Sequence, residues 1–380
     1  MAIMQNIAIC FGGVSPEHEV SIITGLQVIE NVDSQSFRAY ALYVSPSGEF
    51  FYLPNINTRG DFLHSRRIPI AFGCDTKGGF FTSLGILKEK VYVDCAYLAF
   101  HGGNGESGQL QGLFESCNIP HTGQNVFTSA VSMNKQVTKD LVSTHGVSVI
   151  KGLSVTQKQV KQQGMRVVEL ISKKLKFPVI VKPVHLGSSI GVTICKTEPS
   201  LLKGLLAASQ IDGEILVEEL MENFVEYNCA VRRINGSIEV SEIEKPNRKD
   251  EILSFADKYE KGGGKKTGGM ASLVRELPAK ISKALKDEIN TAAIRTYEAL
   301  RATGMLRCDF LYCNNKLYLV EVNPIPGSMS YYLWEASGIS FTDQITQSIA
   351  EAISESASLD KLRLTYKTDI VKIFVNSTSR

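Results

Sequence analysis

The run Leu306-Arg307-Cys308-Asp309-Phe310-Leu311-Tyr312 and the run Tyr318-Leu319-Val320-Glu321-Val322-Asn323 alternate so sharply that they admit little besides a β-hairpin. Side chains on a strand point to opposite faces in turn. Positions 306, 308, 310, 312, 318, 320 and 322 then form one apolar face, and Arg307, Asp309, Glu321 and Asn323 the other. The two sets coincide only if the connecting loop holds an odd number of residues. A three-residue loop at Asn314-Asn315-Lys316 sets Asp309 opposite Glu321. Hard oxygen ligands of this kind suit Mg²⁺, which takes a few protein oxygens and completes its shell with substrate phosphates. A solvated polar face with Arg307 in a salt bridge is the plain alternative. Two facing carboxylates without a cation repel each other, which tips the balance toward metal.

A chain of 380 residues is too long for one simple core, so two or three domains are expected. Its formal net charge of +2 creates no global field for nucleic acid or an anionic membrane. The start, MAIMQNIAICFGG, lacks the basic head, long apolar core and small-residue site of a signal peptide. No stretch of about 18 apolar residues exists, so no membrane span is expected, and the cytoplasm is the expected compartment. The eight cysteines form no CxxC pair and sit mostly in apolar runs, which reads as reduced, buried thiols.

Residues 6–11 read as a buried strand running into Gly12-Gly13. Ser15-Pro16 reads as an N-cap followed by a first-turn proline, with Ile22, Leu26 and Ile29 at helical spacing behind it. Residues 39–44 and 95–100 read as further strands, which predicts a parallel α/β domain over 1–123. The segment 45–90, rich in Gly, Pro and Asn, fits no element clearly. A second unit, 124–217, opens with a helix around 133–145 and holds strands at 178–181 and 190–195. The third, 218–380, holds strands at 226–234 and 238–244, a Gly/Lys-rich loop over 258–269, a helix over 279–302 and the hairpin. Residues 360–380 carry no legible signal.

Lys182 ends the apolar strand FPVIVKP, and Gly187-Ser188-Ser189 follows closely. A lysine at a strand end is by default a snorkelling surface residue. Backbone N–H groups in such a loop can also cradle phosphate, with hydroxyls and a lysine completing the site. Neither GxxxxGK[ST] nor GxGxxG is present, which disfavours a P-loop and a nicotinamide-binding dehydrogenase. Glu218-Glu219-Leu220 and Glu226 follow a strand closely enough to reach an adenine amino group or ribose hydroxyls, although exposed glutamates are the ordinary case.

The ordered set GGVSPEHEVS, HGGNGESGQLQG, MNK, VIVKP, GSSIGV, VEEL, DKY, RCDF and EVNPIPG resembles the D-alanine–D-alanine ligases of the ATP-grasp fold, from about residue 5 to 335. The resemblance implies an α/β (α+β) architecture. An N-terminal α/β pre-ATP-grasp domain (1–123) would bind substrate, a central lid subdomain (124–217) would follow, and the catalytic subdomain (218–380) would come last. It further implies that Lys135 and Lys182 contact ATP phosphates, that Glu218 and Leu220 flank the adenine, and that Glu226 binds the ribose. Asp309, Glu321 and Asn323 would hold two Mg²⁺ ions, with Mn²⁺ as a substitute. Glu17 would bind the amino group of the first amino acid beside His101. Ser188 and Tyr259 would join Glu17 in a hydrogen-bonded triad, and Lys258 would touch the transferred phosphate. Arg307 and the backbone N–H of Gly327 would stabilise the oxyanion. The resemblance also implies a homodimer, amino-acid substrates and a place in peptidoglycan precursor synthesis.

Such chemistry asks for these groups. A carboxylate is a poor electrophile until ATP turns it into an acyl-phosphate, and phosphoryl transfer is mainly positioning and charge neutralisation. The acyl-phosphate must be kept from water, and the stretch 260–269 beside Tyr259 is the expected lid. Two positions depart from the family pattern. Ser107 stands where an aspartate is usual. Tyr332, followed by Leu333, stands where a serine–leucine pair binds the second substrate. The alternative is therefore a related ligase with another acceptor, such as D-serine. Tyr259 speaks against relatives that form D-lactate esters. Asp309, Glu321, Asn323, Arg307 and both lysines together disfavour a non-catalytic nucleotide-binding protein.

Overall fold

The structure, a computed structural model, describes residues 4–85, 89–187, 189–247, 275–359 and 368–377. The first sheet contains β1 (Gln5–Gly12), β2 (Phe37–Val44), β3 (Phe50–Leu53), β4 (Ile68–Asp75), β5 (Gly78–Ser83), β6 (Lys90–Tyr92) and β7 (Cys95–Leu98). They lie in the order β6-β5-β4-β3-β2-β1-β7. β1 pairs in parallel with β2 and β7, as the alternation of strands and helices predicts. The unplaced segment 45–90 supplies an antiparallel extension, β3 to β6, that continues the sheet from β2.

The first helix, His18–Asn31, begins later than the Ser15-Pro16 signal suggests, with Glu17 at its N-cap. Ser15 Oγ instead accepts from the Glu17 N–H at 3.0 Å, a local turn that competes with helix. Gly25 of this helix lies against the Phe11 ring, where a Cβ would clash.

The second sheet is antiparallel, in the order β10-β9-β11-β8, from β8 (Gly152–Thr156), β9 (Val179–Pro183), β10 (Thr193–Cys195) and β11 (Glu214–Glu219). Helices Gln157–Lys174 and Glu198–Ala208 close its core over Val179, Val181, Leu201, Leu205, Ile215 and Val217. The third sheet has the order β13-β12-β16-β17. Its strands are β12 (Val225–Ile234), β13 (Ser237–Val240), β16 (Leu306–Cys313) and β17 (Lys316–Asn323). A two-residue ladder joins β14 (Lys245–Pro246) to β15 (Arg275–Glu276). Helix Lys283–Ala299, capped by Ser282, covers this sheet.

The hairpin reaches the expected facing of Asp309 and Glu321 by a different route. Its turn is the pair Asn314-Asn315, both left-handed (φ 51° and 56°), with Cys313 opposite Lys316. Such a turn matches strand twist. The parity it breaks is restored by a bulge: Asp309 pairs with Glu321 but Phe310 with Leu319, leaving Val320 as the extra residue. Between the turn and the bulge the faces of β17 are therefore exchanged, so Leu317 and Leu319 are buried rather than Tyr318 and Val320.

Residues from distant parts of the chain share the first core. Ile7, Phe11 and Tyr97 pack with Ile325, Leu333, Trp334, Ile345 and Ile349. All eight cysteines are free thiols and seven are buried. No helix among the described residues is long and apolar enough to cross a membrane. Phe310 is fully buried in the core beneath the hairpin. Phe310→Ala is expected to lower the unfolding free energy by about 3–5 kcal/mol, read by denaturant titration. A loss below about 1 kcal/mol would mean that this packing does not hold the hairpin.

Candidate active site

The polar face of the hairpin opens into a cleft of about 700 Å³ whose walls include Glu17, His101, Lys135, Arg307, Asp309, Glu321, Asn323 and Gly327. Backbone geometry explains the convergence. Asp309 faces Glu321 and Arg307 faces Asn323 across β16 and β17. Arg307 grips Asp309 through Nε at 2.7 Å and Nη2 at 2.8 Å, and Asn323 Nδ2 donates to Asp309 Oδ2 at 3.1 Å. Lys135 pairs with Glu321 at 3.2 Å and donates to the Leu186 carbonyl at 2.7 Å. Two acids and an amide, each on a fixed strand, thus meet two cations.

Opposite the hairpin, Glu17 reaches between two glycines. A Cβ on Gly102 or Gly187 would lie 3.0 or 3.2 Å from Glu17 Oε2, so only glycine lets the carboxylate lie so close to both backbones. His101 is buried, with Nδ1 at 3.1 Å from the Ile325 carbonyl and Nε2 at 2.8 Å from the Thr24 hydroxyl. Burial pulls its pKa down to about 4, so the ring is neutral at pH 7.

Lys182 and Glu218 meet beside the cleft. Glu218 is fully buried and accepts from Lys182 at 2.9 Å and from Lys139. Burial alone would raise this carboxyl, but the two ammonium groups hold it down, to about 2. Lys139 is itself buried, and burial pulls it down to about 8 despite Glu218. Leu220 donates its N–H to the Pro178 carbonyl at 2.9 Å, and Glu226 Oε1 accepts from Asn228 at 3.2 Å. Tyr332 does not line the cleft. Its hydroxyl donates to Glu244 at 3.2 Å, and Leu333 is wholly buried in the first core. Ser188, Lys258, Tyr259 and the lid expected over 260–269 lie outside the described residues.

Two residues that sequence reasoning passed over belong here. Lys139 lies one helical turn after Lys135 in helix Lys135–Ser143, an i,i+4 spacing that was available as a signal. Glu106, also in the cleft wall, accepts from the Gly102 N–H at 2.6 Å and the Ile325 N–H at 3.1 Å, stapling two cleft loops together. A carboxylate between glycines, able to take two backbone N–H groups, was its only signal.

Burial, with Glu17 and Glu321 adding to it, raises the Glu106 carboxyl to about 8 against those two N–H bonds. A folded-state pKa above the unfolded value means stability that is full below the unfolded pKa and is lost as pH rises toward the folded one. Between pH 5 and 8 the protein should therefore lose stability on the order of 2–4 kcal/mol through this group. Glu106→Gln should flatten that slope in thermal unfolding across the same range. An unchanged slope would show that Glu106 does not titrate there.

Residues 6–124 match the family described as D-ala D-ala ligase N-terminus, and residues 141–350 the one described as D-ala D-ala ligase C-terminus. The D-alanine–D-alanine ligase of Thermosipho melanesiensis is 35% identical over 377 residues, covering 98% of this chain and 99% of its own length. That of Macrococcus caseolyticus is 28% identical over 376 residues, covering 96% and 99%. Among solved structures, the D-alanine-D-alanine ligase from Coxiella burnetii superposes over 100% of both chains with a TM-score of 0.80 at 24% identity, which carries the fold alone. The VanG D-Ala:D-Ser ligase from Enterococcus faecalis matches with a TM-score of 0.76 at 27% identity, over 92% of this chain and 100% of its own. By both halves of its sequence and by its ATP-grasp architecture, this chain belongs to the D-alanine–D-alanine ligase family.

Proposed function

We propose that the chain joins two D-alanines at the expense of ATP, through an acyl-phosphate, for peptidoglycan precursor synthesis in the cytoplasm. The observation that carries this reading is the facing of Asp309 and Glu321 in one cleft with Glu17, Lys135 and Arg307. Carboxylates and an amide oxygen are the donor set that Mg²⁺ takes, and both acids here already draw cationic partners, Arg307 and Lys135. Two Mg²⁺ ions held by Asp309, Glu321 and Asn323, with Mn²⁺ able to replace them, would offset the charge of the triphosphate.

The remaining work falls to the chain itself. Glu17 receives the ammonium of the first amino acid, with neutral His101 beside it. Lys135 and Lys182 steady the phosphates, and Lys258 joins them at the transferred group. Glu218 serves the nucleotide end by fixing Lys182, with Leu220 beside the adenine and Glu226 at the ribose. Arg307 and the Gly327 N–H face the developing oxyanion. By the family pattern, Ser188 and Tyr259 are the partners of Glu17 in a hydrogen-bonded triad. Three units, 1–123, 124–217 and 218–380, carry these parts, and a homodimer is the expected assembly.

A second reading, ligation of D-alanine to a different acceptor such as D-serine, draws on one observation. Tyr332 stands in the acceptor-binding position of the family pattern, and its hydroxyl is taken by Glu244. Phosphate release across a panel of amino acids, with mass spectrometry of the product, separates the two. D-alanine alone should support turnover and give the D-Ala–D-Ala dipeptide. Turnover only with a second amino acid would replace the acceptor and leave the ligase chemistry standing. Asp309→Asn, assayed where it is fully folded, should cut kcat by about 100- to 1,000-fold, and its thermal unfolding should fall because buried Arg307 loses its charged partner. Unchanged turnover would remove the metal assignment.

A further inference from the structure

We propose that Thr24 and Glu106 are positioning residues of the reaction: together they fix the backbone at Ile325 and so set Asn323 and Gly327 against Glu17. The proposal rests on the ligase reading above. Asn323 and Gly327 are joined by Pro324-Ile325-Pro326. Proline has no N–H, so Ile325 carries the one backbone donor between them. Glu106 Oε1 accepts that N–H at 3.1 Å. His101 Nδ1 lies 3.1 Å from the carbonyl of the same residue. The Ile325 side chain is buried in the first core. Both backbone groups and the side chain of one residue thus anchor a stretch that its prolines already stiffen.

The bonds behind these two close a circuit around the Glu17 end of the cleft. A carbonyl only accepts and the His101 ring is neutral, so the ring proton sits on Nδ1. Nε2 is then an acceptor, and the Thr24 hydroxyl at 2.8 Å is its donor. Thr24 is buried on helix His18–Asn31, two turns beyond Glu17. With both ring nitrogens engaged, His101 acts on the site through Ile325. On the other side, Glu106 Oε2 accepts from the Gly102 N–H at 2.6 Å, and Gly102 is one of the two glycines that make room for Glu17. Glu17, His101, Glu106, Asn323, Ile325 and Gly327 all line the one cleft. One buried hydrogen bond contributes little to stability, about 1 kcal/mol. In a reacting site its loss weighs more, because a misplacement of about 1 Å can cost about 100-fold in rate.

The test follows phosphate release by the full chain, with ATP and D-alanine varied in turn, for the parent, Thr24→Val, Thr24→Ser and Glu106→Gln. Valine keeps the shape of threonine without the hydroxyl, and serine keeps the hydroxyl. We expect Thr24→Val to lower kcat by about 10- to 100-fold with the ATP KM within about twofold, and Thr24→Ser to recover kcat to within about threefold of the parent. Glu106→Gln, whose amide nitrogen cannot accept an N–H, should lower kcat in the same way, and it carries the expectation if Thr24→Val does not fold. Because both residues act through Ile325, the double variant T24V/E106Q should lose less than the product of the two single losses. Parent-like kcat in Thr24→Val, or a loss that Thr24→Ser does not repair, would assign Thr24 to packing alone and overturn the proposal. Histidine labelled with ¹⁵N reads the ring without turnover, His101 being assigned by its absence in His101→Gln. A proton found on Nε2 would also overturn the proposal. A parent that releases no phosphate with D-alanine would overturn the ligase reading instead, and the ¹⁵N spectrum would still decide the circuit.

Discussion

The pairing of Asp309 with Glu321 across two strands is the constraint from which the rest of the molecule follows. Side by side, the two carboxylates repel, and such a pair persists only where cations stand close. Arg307, from the next inward position of the same strand face, answers Asp309, and Lys135, from a helix far away in sequence, answers Glu321. The cleft is thus an electrostatic necessity in its own right. The same strands bury Cys308, Phe310 and Leu319 on their reverse face, so hydrophobic packing supplies the rigidity that the polar face lacks.

Charge is handled differently in each wall. Beside Lys182, one buried carboxylate is shared by two ammonium groups, which keeps Glu218 ionised, while burial makes Lys139 easier to deprotonate in spite of that partner. In the loop wall, burial wins over two backbone N–H donors, and Glu106 holds its proton near neutrality. His101 stays uncharged between a carbonyl and a hydroxyl. The lysine and arginine charge of this cleft is therefore not opposed by an ionised carboxylate at Glu106 near neutrality.

Legibility followed the range of the interaction. The hairpin could be read because alternation is local, and so could the helix bearing Ile22, Leu26 and Ile29. The ordered short motifs made the family recognisable. The bulge at Val320 was hidden because a two-residue turn plus one extra residue has the same parity as a three-residue loop. The antiparallel extension over 45–90 was hidden because its strands carry Gly and Pro, which read as turns. Helix onset moved to His18 because a serine can satisfy a turn as readily as a cap. Lys139 and Glu106 depend on partners far away in sequence, such as Glu218 for Lys139, and the local patterns they carry, an i,i+4 lysine pair and a glutamate among glycines, do not name those partners.

The sharing of the first core has a consequence for synthesis on the ribosome. Ile7, Phe11 and Tyr97 emerge early, yet Trp334, Ile345 and Ile349, which complete the layer over them, emerge much later. Chain growth at about 5–20 residues per second leaves that apolar layer uncovered for on the order of ten seconds or more. During that interval the sheet edge and its unfilled face are exposed to whatever is nearby. At this layer, vulnerability to aggregation is thereby concentrated in the nascent chain, and the arrival of the late residues removes it.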